Sequence, residues 1–175
     1  METYLLVCAF VVAFIGSIQD VRSRKIPNRL TYSGIFAALF TRFFMLGLPG
    51  LKDGLFGTLA GGGLFFLLFV LGGMGAGDVK LMAAVSAWAG ITETVNLLAA
   101  AAFAGGIMAL GLMLYRRRAI ATILNAIELI QHHLTSGPRP HPQLNVREPD
   151  SLRVPFAPAI VIGTLYCLSR NFTWG

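Results

Sequence analysis

Charge is what this chain has least of. Only 13% of its 175 residues are Asp, Glu, Lys or Arg, against 55% hydrophobic residues and a mean hydropathy of +0.70. An ordinary water-soluble domain devotes about a quarter of its residues to charge, so this class is excluded and a single polytopic membrane bundle is expected. Cysteine is nearly absent as well. Cys8 and Cys167 each lie in an apolar run without another cysteine or a histidine nearby, which excludes a disulfide framework and a zinc site and reads as two buried free thiols. His132 and His133 are adjacent, so on a helix they point about 100° apart and cannot chelate as an i, i+4 pair would. Neither HExxH nor a Ser-His-Asp grouping occurs, and no cofactor or metal is expected. The first residues lack the basic start and small-residue cleavage site of a secretion signal, and Glu2 stands where positive charge would be needed. They read as a retained first span.

What is present is a series of long apolar stretches. Bounded by charges and turn residues, they fall at about 3–19, 30–48, 54–72, 79–92, 94–115 and 154–170, which predicts an all-α bundle of about six transmembrane helices in one integral-membrane domain over residues 1–175. The fourth stretch is short: a helix of about 14 residues rises only ~21 Å against a hydrocarbon core of ~30 Å, so submerged polar groups or thinned lipid are expected around it. Net charge is +6, but the basic residues are clustered, and eleven of the fourteen Lys and Arg fall in alternate connections at 20–29, near 78 and at 116–153. These connections are therefore expected in the cytoplasm and both termini outside, with no nucleic acid as partner. Of the remaining three, Arg42 is expected to snorkel to the opposite interface. In the long connection, Ile120, Ile123, Leu124, Ile127, Ile130 and Leu134 recur at helical spacing and predict an amphipathic helix on the cytoplasmic membrane surface. The proline-rich stretch after it, 135–150, reads as an extended, mobile loop.

Against this background two acids stand out: Asp20, closing the first span, and Asp78, opening the fourth. Carboxylates at the edge of lipid are costly and are kept for chemistry, ion movement or structural pairing, and the charge pattern places both on the cytoplasmic side. Each has a plainer reading. Asp78 follows two glycines and precedes an apolar helix, where an acid caps orphan amides. Asp20 faces the negative end of a helix dipole and would then pair with Arg22 or Arg24. The run Gly72-Gly73-Met74-Gly75-Ala76-Gly77 is not a phosphate loop, because Asp78 and Val79 stand where Lys and Ser or Thr are required. Gly75 and Gly77 instead give a substrate backbone room beside Asp78.

The segments Asp20-Val21-Arg22-Ser23-Arg24-Lys25-Ile26-Pro27-Asn28 and Gly75-Ala76-Gly77-Asp78-Val79-Lys80-Leu81, with Val154-Pro155-Phe156-Ala157-Pro158-Ala159-Ile160 in the last span, resemble the type IV prepilin peptidases. The resemblance covers nearly the full length. It implies a six-span aspartyl protease with Asp20 and Asp78 as the catalytic pair, Gly75, Gly77 and Lys80 supporting the substrate site, and a prepilin with a basic leader and an apolar helix as the partner cleaved at the cytoplasmic face. Larger members of that family carry a cysteine-rich zinc-binding insertion between the first two spans and also N-methylate the trimmed pilin. Here only residues 20–29 occupy that position and no CxxC occurs. The resemblance therefore implies a short form without methyl transfer, like those serving Flp-type (tight adherence) pili, in a bacterial inner membrane, with the archaeal preflagellin peptidases as a related reading. Two other classes compete on the residues alone: a small ion- or proton-translocating protein using the same acids, and an inert partner in pilus assembly.

Overall fold

The computed structural model of the protein describes residues 2–115, 128 and 156–174. The expected amphipathic helix and mobile loop fall outside the described residues, Glu128 excepted. Four helices account for nearly all of the rest: α1 Glu2–Ser23, α2 Asn28–Val70, α3 Ala76–Tyr115 and α4 Ala157–Trp174. No strand occurs among the described residues. Among the described residues three helical stretches, Thr3–Ser23, Asn28–Val70 and Ala76–Leu112, are long and apolar enough to cross a membrane.

Two of these helices are broken at a single glycine. Gly47 (φ 68°, ψ −155°) divides α2 into 28–46 and 48–70, and Gly90 (φ 81°, ψ 171°) divides α3 into 76–89 and 91–115. Both conformations lie in a region that essentially only glycine occupies. The first break reverses the chain. A methyl placed on Gly54 would lie 3.3 Å from Cδ2 of Leu39, whereas fifteen residues of straight helix would separate the two by ~22 Å. The second break does the same. Gly90 lies against Arg42 and Asp53 at the far end of the bundle, while Gly105 lies against Phe156, which immediately precedes α4 at the end holding Asp20 and Asp78.

The first half of α3 is the centre of the molecule. From Leu81 to Gly90 every residue except Ala83 is buried, so this rod is apolar all round, as a helix enclosed by protein must be. That accounts for its shortness: its neighbours are other helices, and it need not match the thickness of lipid. A line of glycines on α2 lets the backbones come together. Methyls on Gly57 and Gly61 would collide with Ser86, and one on Gly62 would press on Ala83, the small-residue seam by which helices pack in a membrane.

The far end is tied by one ion pair. Arg42, only 4% exposed, donates from Nη1 to Oδ2 of Asp53 at 2.7 Å and from Nη2 to the carbonyl of Trp88 at 2.9 Å. Asp53 also accepts the amide of Ile91 at 3.2 Å, in the first turn after the Gly90 break. Arg42 therefore does not snorkel, as its position in the sequence suggested. Once the chain reverses at Gly47, an acid eleven residues on becomes a nearer partner than the interface.

Candidate active site

Three local features bring Asp20 and Asp78 together. Asp20 sits in the last turn of α1, which ends with Arg24 in the left-handed region (φ 51°). α2 ends with Gly72 at φ 81°, where the amide of Gly73 bonds to the carbonyl of Leu68 and that of Gly72 to Phe69. This paired capping pattern satisfies the last carbonyls of a helix and turns the chain sharply. Three residues later α3 begins, with Asp78 in its first turn.

Each acid meets backbone amides. Asp78 is the third residue of its helix, and its carboxylate turns back to the amide of Gly75, the return half of a capping box. The positive end of α3 suits negative charge there. Asp20 has the opposite problem, being at the negative end of α1, and the structure resolves it with another helix: the amide of Ala157, the first residue of α4, faces its carboxylate. Neither Arg22 nor Arg24 forms an ion pair with Asp20 among the described residues, so the paired-charge reading of Asp20 does not hold. Ala157 is the site residue that sequence reasoning missed. Its signal was the Phe-Ala-Pro helix start, but a backbone amide has no side chain to advertise it.

The two acids are close enough to interact electrostatically, and both line one open cavity of about 430 Å³. Gly75, Gly77 and Lys80 line it too, together with the α1–α2 connection from Arg24 to Asn28. All five residues singled out in the sequence are thus at one place. Lys80 donates to Oδ1 of Asn28 at 2.9 Å and lies 5.9 Å from the centre of the Tyr32 ring. Among the described residues no three His, Cys, Asp or Glu side chains converge as a metal-binding set. Cys8 and Cys167 are both free, Cys167 buried and Cys8 partly so. Chemically, two neighbouring carboxylates lining one open cavity at the end of an apolar bundle can hold a water molecule between a proton acceptor and a proton donor.

The fold and site together define a helical membrane protein with an aspartate pair at one rim. Its residues 6–127 match the model of the type IV leader peptidase family, and the chain belongs to that family. It is 33% identical over 115 residues, 61% of this chain, to a prepilin leader peptidase/N-methyltransferase of Escherichia coli (strain K12), covering 50% of that protein. It is 38% identical over 99 residues, 53% of this chain, to a prepilin leader peptidase/N-methyltransferase of Dichelobacter nodosus, covering 35% of that one. The chain thus spans half or less of the length of these curated relatives. No solved structure matches it.

Proposed function

We propose that the protein is a membrane-embedded aspartyl endopeptidase that removes the short basic leader of type IV prepilins at the cytoplasmic face of a bacterial inner membrane. The observation that carries this reading is the meeting of Asp20 and Asp78, from two different helices, at one open cavity. The relatives' names supply the substrate class. In this reading the six helical rods each cross the membrane, and the single-residue turns at Gly47 and Gly90 lie on the side away from the cytoplasm.

Two carboxylates flanking one water cannot both ionise cheaply, so the pair holds one proton. The ionised partner removes a proton from the water as its oxygen attacks the scissile carbonyl, and the protonated partner hydrogen-bonds the developing oxyanion. Collapse of the tetrahedral intermediate breaks the C–N bond, and a carboxyl proton passes to the departing amine. The connection from α1 to α2 spans only residues 24–27, which leaves no insertion there for methyl transfer and favours the short form serving Flp-type pili.

The experiment is reconstitution of the purified protein with a prepilin carrying a basic leader and an apolar helix. A single new N-terminus at the leader boundary, read by mass spectrometry, is expected. Intact prepilin combined with dissipation of a proton gradient in the same vesicles would instead support ion translocation. The two glycines are expected to differ. In Gly75→Ala the new methyl lies 3.3 Å from Oδ2 of Asp78 and displaces the carboxylate, whereas in Gly77→Ala it lies 3.4–3.5 Å from Ile26 in ordinary contact. Trimming by Gly75→Ala should fall roughly tenfold or more, because small displacements of reacting groups are costly, and trimming by Gly77→Ala should fall much less.

A further inference from the structure

Lys80 shares a cavity with two carboxylates yet forms an ion pair with neither. Its ammonium is held elsewhere, on Asn28 at 2.9 Å and over the Tyr32 ring at 5.9 Å, near the outer limit of a cation–π contact. Asn28 opens α2 directly after the connection that carries the chain away from Asp20. Within that connection Ile26 is 8% exposed and packs on Gly77, one residue before Asp78. The four residues between α1 and α2 are therefore strapped across the first turn of α3 by an apolar contact at Gly77 and a polar one at Lys80. The first helix carries one acid and the third helix carries the other, so this strap joins the two supports of the pair.

From this arrangement we infer that Lys80 and Asn28 form a latch that sets the separation of Asp20 and Asp78, which makes Lys80 a positioning residue. The inference rests on the peptidase reading for its kinetic consequence, but not for its structural one. Two features of the latch follow from simple chemistry. Its bond joins a cation to a neutral amide, so it leaves the shared proton of the acid pair undisturbed, whereas an ammonium turned onto either acid would fix that acid as an anion. It is also exposed to solvent, and a single hydrogen bond of this kind is readily made and broken, so the strap can lift to admit an extended peptide and close again over it.

The test combines a kinetic cycle with a distance measurement that needs no activity. Lys80→Met keeps the length of the side chain and removes the donor, and Asn28→Ala removes the acceptor. Each is expected to lower kcat for leader release roughly 10–100-fold, the scale of a small misplacement of reacting groups, with KM within about twofold. The double variant should be no slower than the worse single one, and Lys80→Arg should recover much of the rate. For the distance, Ile26→Cys and Gly77→Cys are introduced together with Cys8→Ala and Cys167→Ala. A methyl on Gly77 would lie 3.5 Å from Cβ of Ile26, within the range of a disulfide, so the pair should oxidise rapidly, and at least about tenfold more slowly once Lys80→Met is added. Multiplying losses in the double variant, a change in KM alone, or an oxidation rate indifferent to Lys80 would each overturn the latch. If the unsubstituted protein releases no leader while oxidation still slows in Lys80→Met, the latch stands and the peptidase reading falls.

Discussion

Asp78→Asn and Asp20→Asn are each expected to reduce leader release by at least ~10³-fold. General acid and base groups contribute about 10²–10⁴-fold individually, and here one substitution removes more than one group. Asparagine keeps the shape of the side chain and can still meet the amides of Gly75 or Ala157, but it neither takes a proton from water nor delivers one to the departing amine. The surviving acid is then alone, ionises freely and no longer donates to the oxyanion. For the same reason the double variant should be no more than severalfold slower than either single one, as for groups that act as a unit. The check is the amount of leader released per hour from a reconstituted prepilin, after size-exclusion chromatography shows that each variant inserts and folds. More than a tenth of the original rate in either single variant would contradict the assignment.

The second large effect is on the fold. Gly90→Ala is expected to remove on the order of 4 kcal/mol of stability, combining strain at a glycine-only conformation with disruption of a partly buried ion pair whose arginine is enclosed. The new methyl would collide with Oδ2 of Asp53 and lie 2.6 Å from Nη2 of Arg42, so neither group keeps its place. Gly47 is the internal control. Its backbone is equally strained, but a methyl there meets nothing nearer than Cδ of Pro49 at 3.8 Å, and Gly47→Ala should cost only the conformational part, about 1–3 kcal/mol. Against a total stability of roughly 5–15 kcal/mol the difference is visible as a lower thermal midpoint and a smaller monodisperse fraction in mild detergent for Gly90→Ala. Equal midpoints for the two variants would show that the Arg42–Asp53 pair does not tie the two turns together.

Much of this molecule is legible in its residues because lipid imposes a simple rule: apolar stretches are helices, and acids at their ends are exceptions. Asp20 and Asp78 could be placed at one end by that rule and by the clustering of basic residues. The turns were harder. The hydropathy pattern predicts connections after residues 48 and 92, but the chain reverses at Gly47 and Gly90 and resumes helix at once, with Pro49 tolerated at the start of a helix, where its missing amide does no harm. Pro49 marks the turn at Gly47, but nothing local distinguishes Gly90 from Gly57 or Gly61, which let helices touch.

Long-range contacts were not legible at all. Arg42 looks like a snorkelling cation until the hairpin at Gly47 presents Asp53. The bond from Lys80 to Asn28 spans 52 positions in sequence, and the amide of Ala157 comes from the opposite end of the chain to Asp20. The setting of the short fourth stretch is equally non-local: among the described residues it is a rod enclosed by other helices, which its length compared with the thickness of lipid does not predict.

The central claim is that Asp20 and Asp78 act on one water between them, and binding of a transition-state mimic tests it most directly. A prepilin peptide in which a hydroxyl-bearing carbon replaces the scissile carbonyl should bind the unsubstituted protein at least ~10²-fold more tightly than the uncleaved amide peptide. That advantage should vanish in both Asp20→Asn and Asp78→Asn. A mimic that binds no better than the amide, or one whose advantage survives loss of either acid, would show that the two carboxylates do not meet at the reacting carbon.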